Sequence, residues 1–244
     1  MPPRLAGAAA LLLAGLWAGS AAATVLQLVP IPVELAAGDS SAVLTIGNRG
    51  SEPVQLQIRS FVWTQEDGED RLVPTRELVV SPPIAEIGPG QSLSARLVRT
   101  QPLPVRAEQS YRVWIDELPR AADEGGAQRA LRMLMRYSVP VFVGTPRSAG
   151  PAPLEWRLQA GAASRLWAEN RGGRRERVSA LSLAPLAGPA AAQTVAEGLA
   201  GYVLAGQQRA WTLAAPVEAG SRYRLRFRTE AGEQEAELAA VPAP

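Results

Sequence analysis

The sequence predicts an all-β protein made of two β-sandwich domains. Three observations indicate this class: short runs that alternate apolar and polar residues, turn-forming residues between those runs, and proline spread too widely for a long amphipathic helix. A period of two places every second side chain on the same face of a strand, so each run has one buried face. About seven strands at such spacing are typical of one sandwich.

The clearest alternating runs are separated by segments rich in glycine, asparagine and aspartate. The runs are residues 42–46, 54–59 and 93–98. The separating segments are residues 37–39, 48–50, 66–68 and 88–90. Glycine and asparagine tolerate the positive φ angles that tight turns require. We therefore expect turns there, with a hairpin tip at Glu-Asp-Gly, residues 66–68.

The first residues have the three parts of a secretory signal peptide. Arg4 supplies a positive charge, residues 8–17 form an apolar segment, and residues 21–23 are small alanines suited to signal peptidase. We expect residues 1–23 to be removed, which leaves an exported chain beginning near Thr24. No later stretch approaches the roughly 20 continuous apolar residues that a membrane helix needs.

A segment rich in glycine, proline and alanine, residues 144–153, has the composition of a linker. It predicts a first domain over residues 24–146 and a second over residues 147–244. Short motifs recur across this boundary. Residues 166–172 resemble residues 44–50, and Gly206-Gln207 resembles Gly90-Gln91 in its spacing to the next strand. Two copies of a similar sandwich would explain both.

The composition argues against catalysis and against nucleic-acid binding. The chain has no histidine and no cysteine, so the commonest general base, the commonest thiol nucleophile and the usual zinc ligands are missing. All its basic residues are arginines, scattered along a chain whose net charge is +2, and this pattern does not fit a nucleic-acid partner. We expect no enzymatic activity and no cofactor.

Two acidic clusters are the remaining candidates for catalysis. A carboxylate pair could support glycoside hydrolysis, and Glu66-Asp67 and Asp116-Glu117 are the conspicuous pairs. Adjacent residues on a strand point to opposite faces, and Glu66-Asp67 lies in the expected hairpin tip. A structural role is therefore the preferred interpretation of both.

The segment from residue 129 to residue 143 predicts a long strand with an unusually apolar face. Side chains at alternate positions share that face: Leu131, Met133, Met135, Tyr137, Val139 and Val141. Arginine, leucine and serine share the other face: Arg132, Leu134, Arg136 and Ser138. Such a strand is either the ordinary last strand of the first sandwich or an edge that accepts a partner strand by β-augmentation.

The first half of the chain resembles the periplasmic pilus-assembly chaperones of the chaperone–usher pathway. The matching segments keep the family's order and spacing over residues 26–146. They are residues 44–50, 81–83, 87–92, 111–119 and 138–143.

The resemblance implies two immunoglobulin-like domains set at an angle, and a periplasmic location. It also implies that a pilin subunit lacking its final strand binds along the last strand of the first domain, and that an outer-membrane usher receives the subunit. The positions of the family's donor residues correspond here to Leu131, Met133 and Met135, with Tyr137 as an extension. Methionine suits this role because its flexible thioether fills grooves of varied shape.

The chain departs from the best-known branch of that family at the site for the subunit's terminal carboxylate. That branch uses an arginine on the first strand and a lysine on the donor strand, whereas residues 29–32 contain no basic residue and Pro140 lies near the lysine position. With Tyr111-Arg112 as a strand signature, the chain resembles the divergent branch serving spore-coat-like pilins. Arg112 and Arg136 are the expected substitute anchors for the subunit's terminal carboxylate, assigned by their role rather than by a matched motif.

The alternative hypothesis is an exported two-domain immunoglobulin-like binding or adhesion module. A sugar site would need exposed aromatic residues near a concave face. The tryptophans lie mostly at strand positions, where packing in a core is expected. Beyond the expected signal peptide, they are Trp63, Trp114, Trp156, Trp167 and Trp211.

Overall fold

The computed structural model describes residues 26–101, 107–119, 133–144, 153–188 and 191–243. Regular structure in these ranges consists of strands, and none of them contains a helix long and apolar enough to cross a membrane. The strands are β1 (Leu26–Val29), β2 (Val33–Ala36), β3 (Ser41–Asn48), β4 (Val54–Glu66), β5 (Glu69–Pro74), β6 (Leu78–Ser81), β7 (Ile84–Ile87), β8 (Ser92–Arg99), β9 (Gln109–Glu117), β10 (Arg136–Gly144), β11 (Leu154–Ala160), β12 (Arg165–Asn170), β13 (Glu176–Pro185), β14 (Gln193–Val203), β15 (Gln208–Thr212), β16 (Arg222–Thr229) and β17 (Gly232–Pro242).

The first domain is a sandwich of two sheets, as the alternating runs predict. One sheet has the order β1-β3-β8-β6, and the other has the order β2-β10-β9-β4-β5, with β7 also pairing with β4. Alternate residues of the facing strands, such as Leu44, Leu56 and Leu97, are fully buried between the sheets. The all-β class is confirmed, and the hairpin tip expected at residues 66–68 joins β4 to β5.

The second domain contains seven strands in the order β14-β13-β16-β17-β11-β12-β15. The long strand β17 links the two layers, because its first part pairs with β16 and its end pairs with β11. Leu158, Leu166 and Leu225 lie fully buried between the layers. This domain therefore has its own core, consistent with two separate sandwiches.

The recurring motifs occupy equivalent positions in the two domains. Asn48 and Asn170 are fully buried, and each is the last residue of its strand. Each side chain donates to two carbonyl oxygens, one four residues later in the chain and one on a strand that is distant in sequence. The backbone amide of Asn48 donates to the carbonyl of Gln91, and that of Asn170 donates to the carbonyl of Gln207, both at 2.9 Å. The short sequence echoes thus reflect one structural device used twice.

The strand expected over residues 129–143 is shorter than predicted. β10 begins at Arg136 because its partner β9 ends at Glu117, whose amide donates to the carbonyl of Met135 at 3.0 Å. Met133 and Met135 precede the strand, and Leu131 lies outside the described residues. The linker expected around residue 147 also lies outside them.

The tip of the β4–β5 hairpin is joined to the second domain. The carbonyl of Gly68 accepts a hydrogen bond from the amide of Ala210 at 2.9 Å. The side chain of Gln65 donates to the carbonyl of Tyr202 at 2.8 Å and accepts from the amide of Leu204 at 3.0 Å. We call this set of contacts the interdomain seam.

Candidate functional site

One face of the sheet β2-β10-β9-β4-β5 points away from the first-domain core and meets the second domain at the seam. Register places its residues side by side, since Phe61 lies opposite Arg112 and Asp116 lies opposite Arg136. We call this surface the cleft face. Its members are Arg59, Phe61, Trp63, Gln65, Asp70, Arg112, Trp114, Asp116, Arg136 and Phe142.

A cluster of aromatic rings lies where the cleft face meets the second domain. Trp63 and Phe142 from the first domain contact Tyr202 from the second, with ring centroids 5.8 and 5.3 Å away from that of Tyr202. Trp63 is buried here, between the domains, whereas the sequence suggested packing within a sandwich core. The guanidinium carbons of Arg112 and Arg175 lie 3.7 and 3.6 Å from the ring centroids of Trp63 and Phe142, respectively.

Arg112 is a half-buried cation that has no ion pair or hydrogen bond with any described residue. Burial lowers its pKa, the negative charge of Asp70 and the phenol of Tyr202 raise it, and the positive charge of Arg209 lowers it again. Stacking on Trp63 fixes the plane of the guanidinium and leaves its edge for an acceptor. Arg112 is therefore suited to bind a carboxylate.

Arg136 differs because its guanidinium is already paired. It forms an ion pair with Asp116, which also receives a 2.6 Å contact from Arg59. Burial raises the pKa of Asp116, but the hydrogen bonds and charges of Arg136 and Arg59 outweigh it and hold that pKa below its usual value. Arg136 lies 4.2 Å from the ring of Trp114.

The structure does not bring the two predicted anchors together. Arg112 lies opposite Pro140, four residues along β10 from Arg136, which corresponds to about 13 Å of strand. The sequence-based prediction was that the two side chains would approach each other near the interdomain cleft. Each instead stacks on its own tryptophan, because the two arginines lie at register positions four residues apart in the β9–β10 ladder.

The predicted donor residues lie at the start of β10. Met133 is 74% exposed and Met135 is 43% exposed. Tyr137 is half-buried and packs against the first-domain core, in phase with the buried Val139 and Val141. The apolar stripe that is buried farther along β10 therefore continues beyond the sandwich as exposed side chains.

Charged contacts between the domains were not foreseen from the sequence. Arg175 of the second domain pairs with Glu34 and Glu108 of the first, and the side chains of Arg175 and Glu108 are 3% and 4% exposed. Burial raises the pKa of Glu108 while the charge of Arg175 opposes this. Arg209 pairs with Asp70 at 2.8 Å. The partners are at least 67 residues apart in the chain, so no local pattern signals them.

The described residues form two β-sandwiches joined by polar and aromatic contacts, with apolar residues exposed just before a strand of the first sandwich. The family model of the pili and flagellar-assembly chaperone, PapD N-terminal domain, matches residues 26–148. The chain belongs to this family, which is one of chaperones rather than enzymes.

Solved structures of chaperones share the fold across both domains. The chain is similar to a chain of the CsuC–CsuE chaperone–tip adhesion subunit pre-assembly complex from archaic chaperone-usher Csu pili of Acinetobacter baumannii, with a TM-score of 0.65 and 23% identity over 91% of this chain and 100% of that one. The chain is also similar to the E. coli chaperone DraB, with a TM-score of 0.56 and 22% identity over 88% of this chain and 97% of that one. A chain of the Salmonella enterica complex of SafA pilin with the SafB chaperone has a TM-score of 0.59 and 20% identity, over 88% of this chain and 96% of that one. Among curated proteins, none matches the chain by sequence.

Proposed function

We propose that this protein is a periplasmic chaperone that binds pilus subunits by donor-strand complementation and delivers them to an outer-membrane usher. The observation that carries the proposal is the exposed apolar segment at Met133 and Met135, which leads directly into β10. Family membership supports the chaperone role. A chaperone of this kind requires export, to which the predicted signal peptide, residues 1–23, corresponds.

In this function, the segment before β10 supplies the strand that an incomplete pilin lacks. Its side chains at Leu131, Met133 and Met135 would enter the groove of the subunit, while Tyr137 marks the point where the stripe turns into the chaperone's own core. Burying one methionine or leucine side chain contributes about 1.5–3 kcal/mol. Alternate side chains set specificity, and main-chain hydrogen bonds supply affinity.

The subunit's terminal carboxylate would set the register of this added strand. A shift of one residue would turn every donor side chain to the wrong face. Arg112 is the anchor that we favour, since its guanidinium is oriented by Trp63 and can make two parallel hydrogen bonds to a carboxylate. Arg136 can join the anchor only if it leaves Asp116.

The test is co-expression of the full chain, including its leader, with exported pilin candidates from the same genome, followed by affinity capture from periplasmic extract. The double variant Met133→Asp/Met135→Asp should lose the subunit, because two charges cannot enter an apolar groove. It should still fold, because neither side chain belongs to the chaperone core.

A matched control places the same charge on apolar residues elsewhere. Val43 and Val79 are 50% and 41% exposed on the other sheet of the first domain. The variant Val43→Asp/Val79→Asp should capture the subunit as the wild type does. Undiminished capture by the methionine variant, or its unfolding, would show that this segment is not a donor strand.

A further inference from the structure

A second arginine with unused donors lies on the second-domain side of the cleft. Arg209, on β15, donates from Nη1 to Asp70 Oδ1 at 2.8 Å, and its side chain is 21% exposed. Its Nε is buried and has no hydrogen-bond acceptor among the described residues. A guanidinium has five N–H donors, and the printed contact to Asp70 uses only Nη1. The buried Nε is out of reach of a ligand, so Nη2 is the donor that can serve a further acceptor.

The position of Arg209 depends on the absence of a side chain at Gly201. A Cβ at Gly201 would lie 2.7 Å from Cζ and 2.8 Å from Nε of Arg209. Gly201 also has a φ of +133°, which other residues rarely adopt. The guanidinium therefore lies against the backbone of β14 in a fixed orientation, as a preorganised binding group requires.

Asp70 connects this arginine to Arg112. It accepts hydrogen bonds from Arg209 and, at 2.9 Å, from the side chain of Gln65. Asp70 raises the pKa of Arg112 and Arg209 lowers it, after the larger lowering due to burial. Two cations and one carboxylate therefore share this end of the cleft, and the group carries a net positive charge.

We propose that Arg209 is the second cation of the subunit-carboxylate site, so that the terminal carboxylate of a bound subunit lies between Arg112 of the first domain and Arg209 of the second. This inference rests on the proposed function and assigns the second anchor to the second domain rather than to Arg136. In the free protein, Asp70 takes one donor of Arg209 and keeps the pair of like charges together.

The first arm of the test is Arg209→Gln in the full chain, co-expressed with the pilin subunit that the wild type retains. Capture of the subunit should fall about tenfold, equivalent to about 1.4 kcal/mol. The matched control is Arg226→Gln, which removes an exposed arginine of the second domain that pairs with Glu235. It should leave capture unchanged. Equal capture by wild type and Arg209→Gln would overturn the proposal.

The second arm separates carboxylate binding from a purely structural role in the seam. Asp70→Asn keeps the size of the side chain and one acceptor but removes the negative charge that competes with the subunit. The proposal predicts capture about threefold stronger, which is the size of effect expected from one exposed ion pair. A structural role for the Arg209–Asp70 pair predicts weaker capture, and equal or weaker capture would overturn the proposal.

The third arm moves the carboxylate itself. A subunit extended by one C-terminal glycine should be captured less by the wild type, and Arg209→Gln should reduce its capture no further. A persisting tenfold loss would show that Arg209 acts without touching the carboxylate. If the wild type captures no subunit, the proposed function fails. If the wild type captures subunits and Arg209→Gln captures them equally well, only this inference fails.

Discussion

At the scale of single residues, the cleft is built from arginines that lie flat on aromatic rings. Arg136 and Arg175 carry carboxylate partners in addition to their rings. Arg112 has its ring, Trp63, and no carboxylate bonded to it among the described residues. A cation held over a ring contributes about 0.5–2 kcal/mol, and this is enough to orient Arg112 while no described residue uses its donors.

We expect Arg112→Ala to weaken subunit binding by about 2–5 kcal/mol, the range for removing one partner of a desolvated charge pair. The thermal midpoint of the free chaperone should change far less, because no carboxylate of the described residues is bonded to Arg112. Capture of a co-expressed pilin and a melting curve of the variant alone measure the two effects.

Arg112→Lys serves as the matched variant, because lysine keeps the charge but lacks the planar fork. It should bind the subunit with intermediate strength. Unchanged capture by Arg112→Ala would remove this residue from the site, and a collapsed melting curve would assign it a structural role.

At the scale of elements, the β4–β5 hairpin is the part of the first domain that reaches the second. Its tip has positive φ angles at Asp67 and Gly68. A Cβ on Gly68 would lie 2.5 Å from Ala210 Cβ, 2.9 Å from the Ala210 amide and 2.9 Å from the ring of Trp167. The glycine is therefore required both by the turn and by the close approach of two domains.

We expect Gly68→Ala to lower the free energy of unfolding by two separate costs. An alanine at positive φ costs about 1–2 kcal/mol, and overpacking against the second domain costs about 1–3 kcal/mol more. Chemical denaturation followed by circular dichroism measures the total.

Gly90→Ala separates the two costs of the hairpin variant. Gly90 also has a positive φ, of +70°, but no atom lies within 4 Å of its Cβ position. Gly90→Ala should therefore lower the free energy of unfolding only by the cost of an alanine at positive φ. Equal destabilisation by the two variants would mean that the hairpin tip does not press on the second domain.

The limits of β10 show where sequence patterns stop being informative. Alternation alone predicts a strand from residue 129, yet the strand begins at Arg136. A strand requires a paired neighbour, and β9 ends at Glu117. Because the end of the neighbour depends on its own pairing, the alternating pattern gave the correct faces of residues 136–141 and placed the beginning of the strand too early.

At the scale of the whole molecule, several kinds of contact join the two sandwiches. They include the hairpin tip on Ala210, the aromatic cluster around Tyr202, and the buried ion pairs of Arg175. The backbone amide of Arg175 also donates to Glu108 at 2.9 Å. Since Arg175 serves two acids of the other domain and stacks on Phe142, its loss affects several contacts at once.

We expect Arg175→Met to destabilise the protein by about 3–5 kcal/mol, because it leaves the buried Glu108 carboxylate without its cation. The domains should also separate, which would increase the radius of gyration measured by small-angle scattering. Arg226→Met, at an exposed pair of the same domain, should change neither quantity. An Arg175→Met variant as compact and as stable as the wild type would show that these ion pairs do not hold the two domains together.

The sequence by itself determined the fold class, the hairpin at residues 66–68 and the repeated asparagine turns, since each follows from local periodicity or turn chemistry. It also pointed to exposed apolar residues at Met133 and Met135, because alternation is a local property of the chain. These features depend on neighbours that are close in sequence.

Tertiary structure alone decided which charges meet in the cleft. It paired Arg136 with Asp116, left Arg112 over Trp63, and brought Arg209 to Asp70 from 139 residues away. The packing of one sandwich against the other determines these contacts, and the energy of a charge depends on its nearest partners and its burial. A linear pattern contains neither distance nor burial, so only the folded pair of domains could separate paired arginines from an available one.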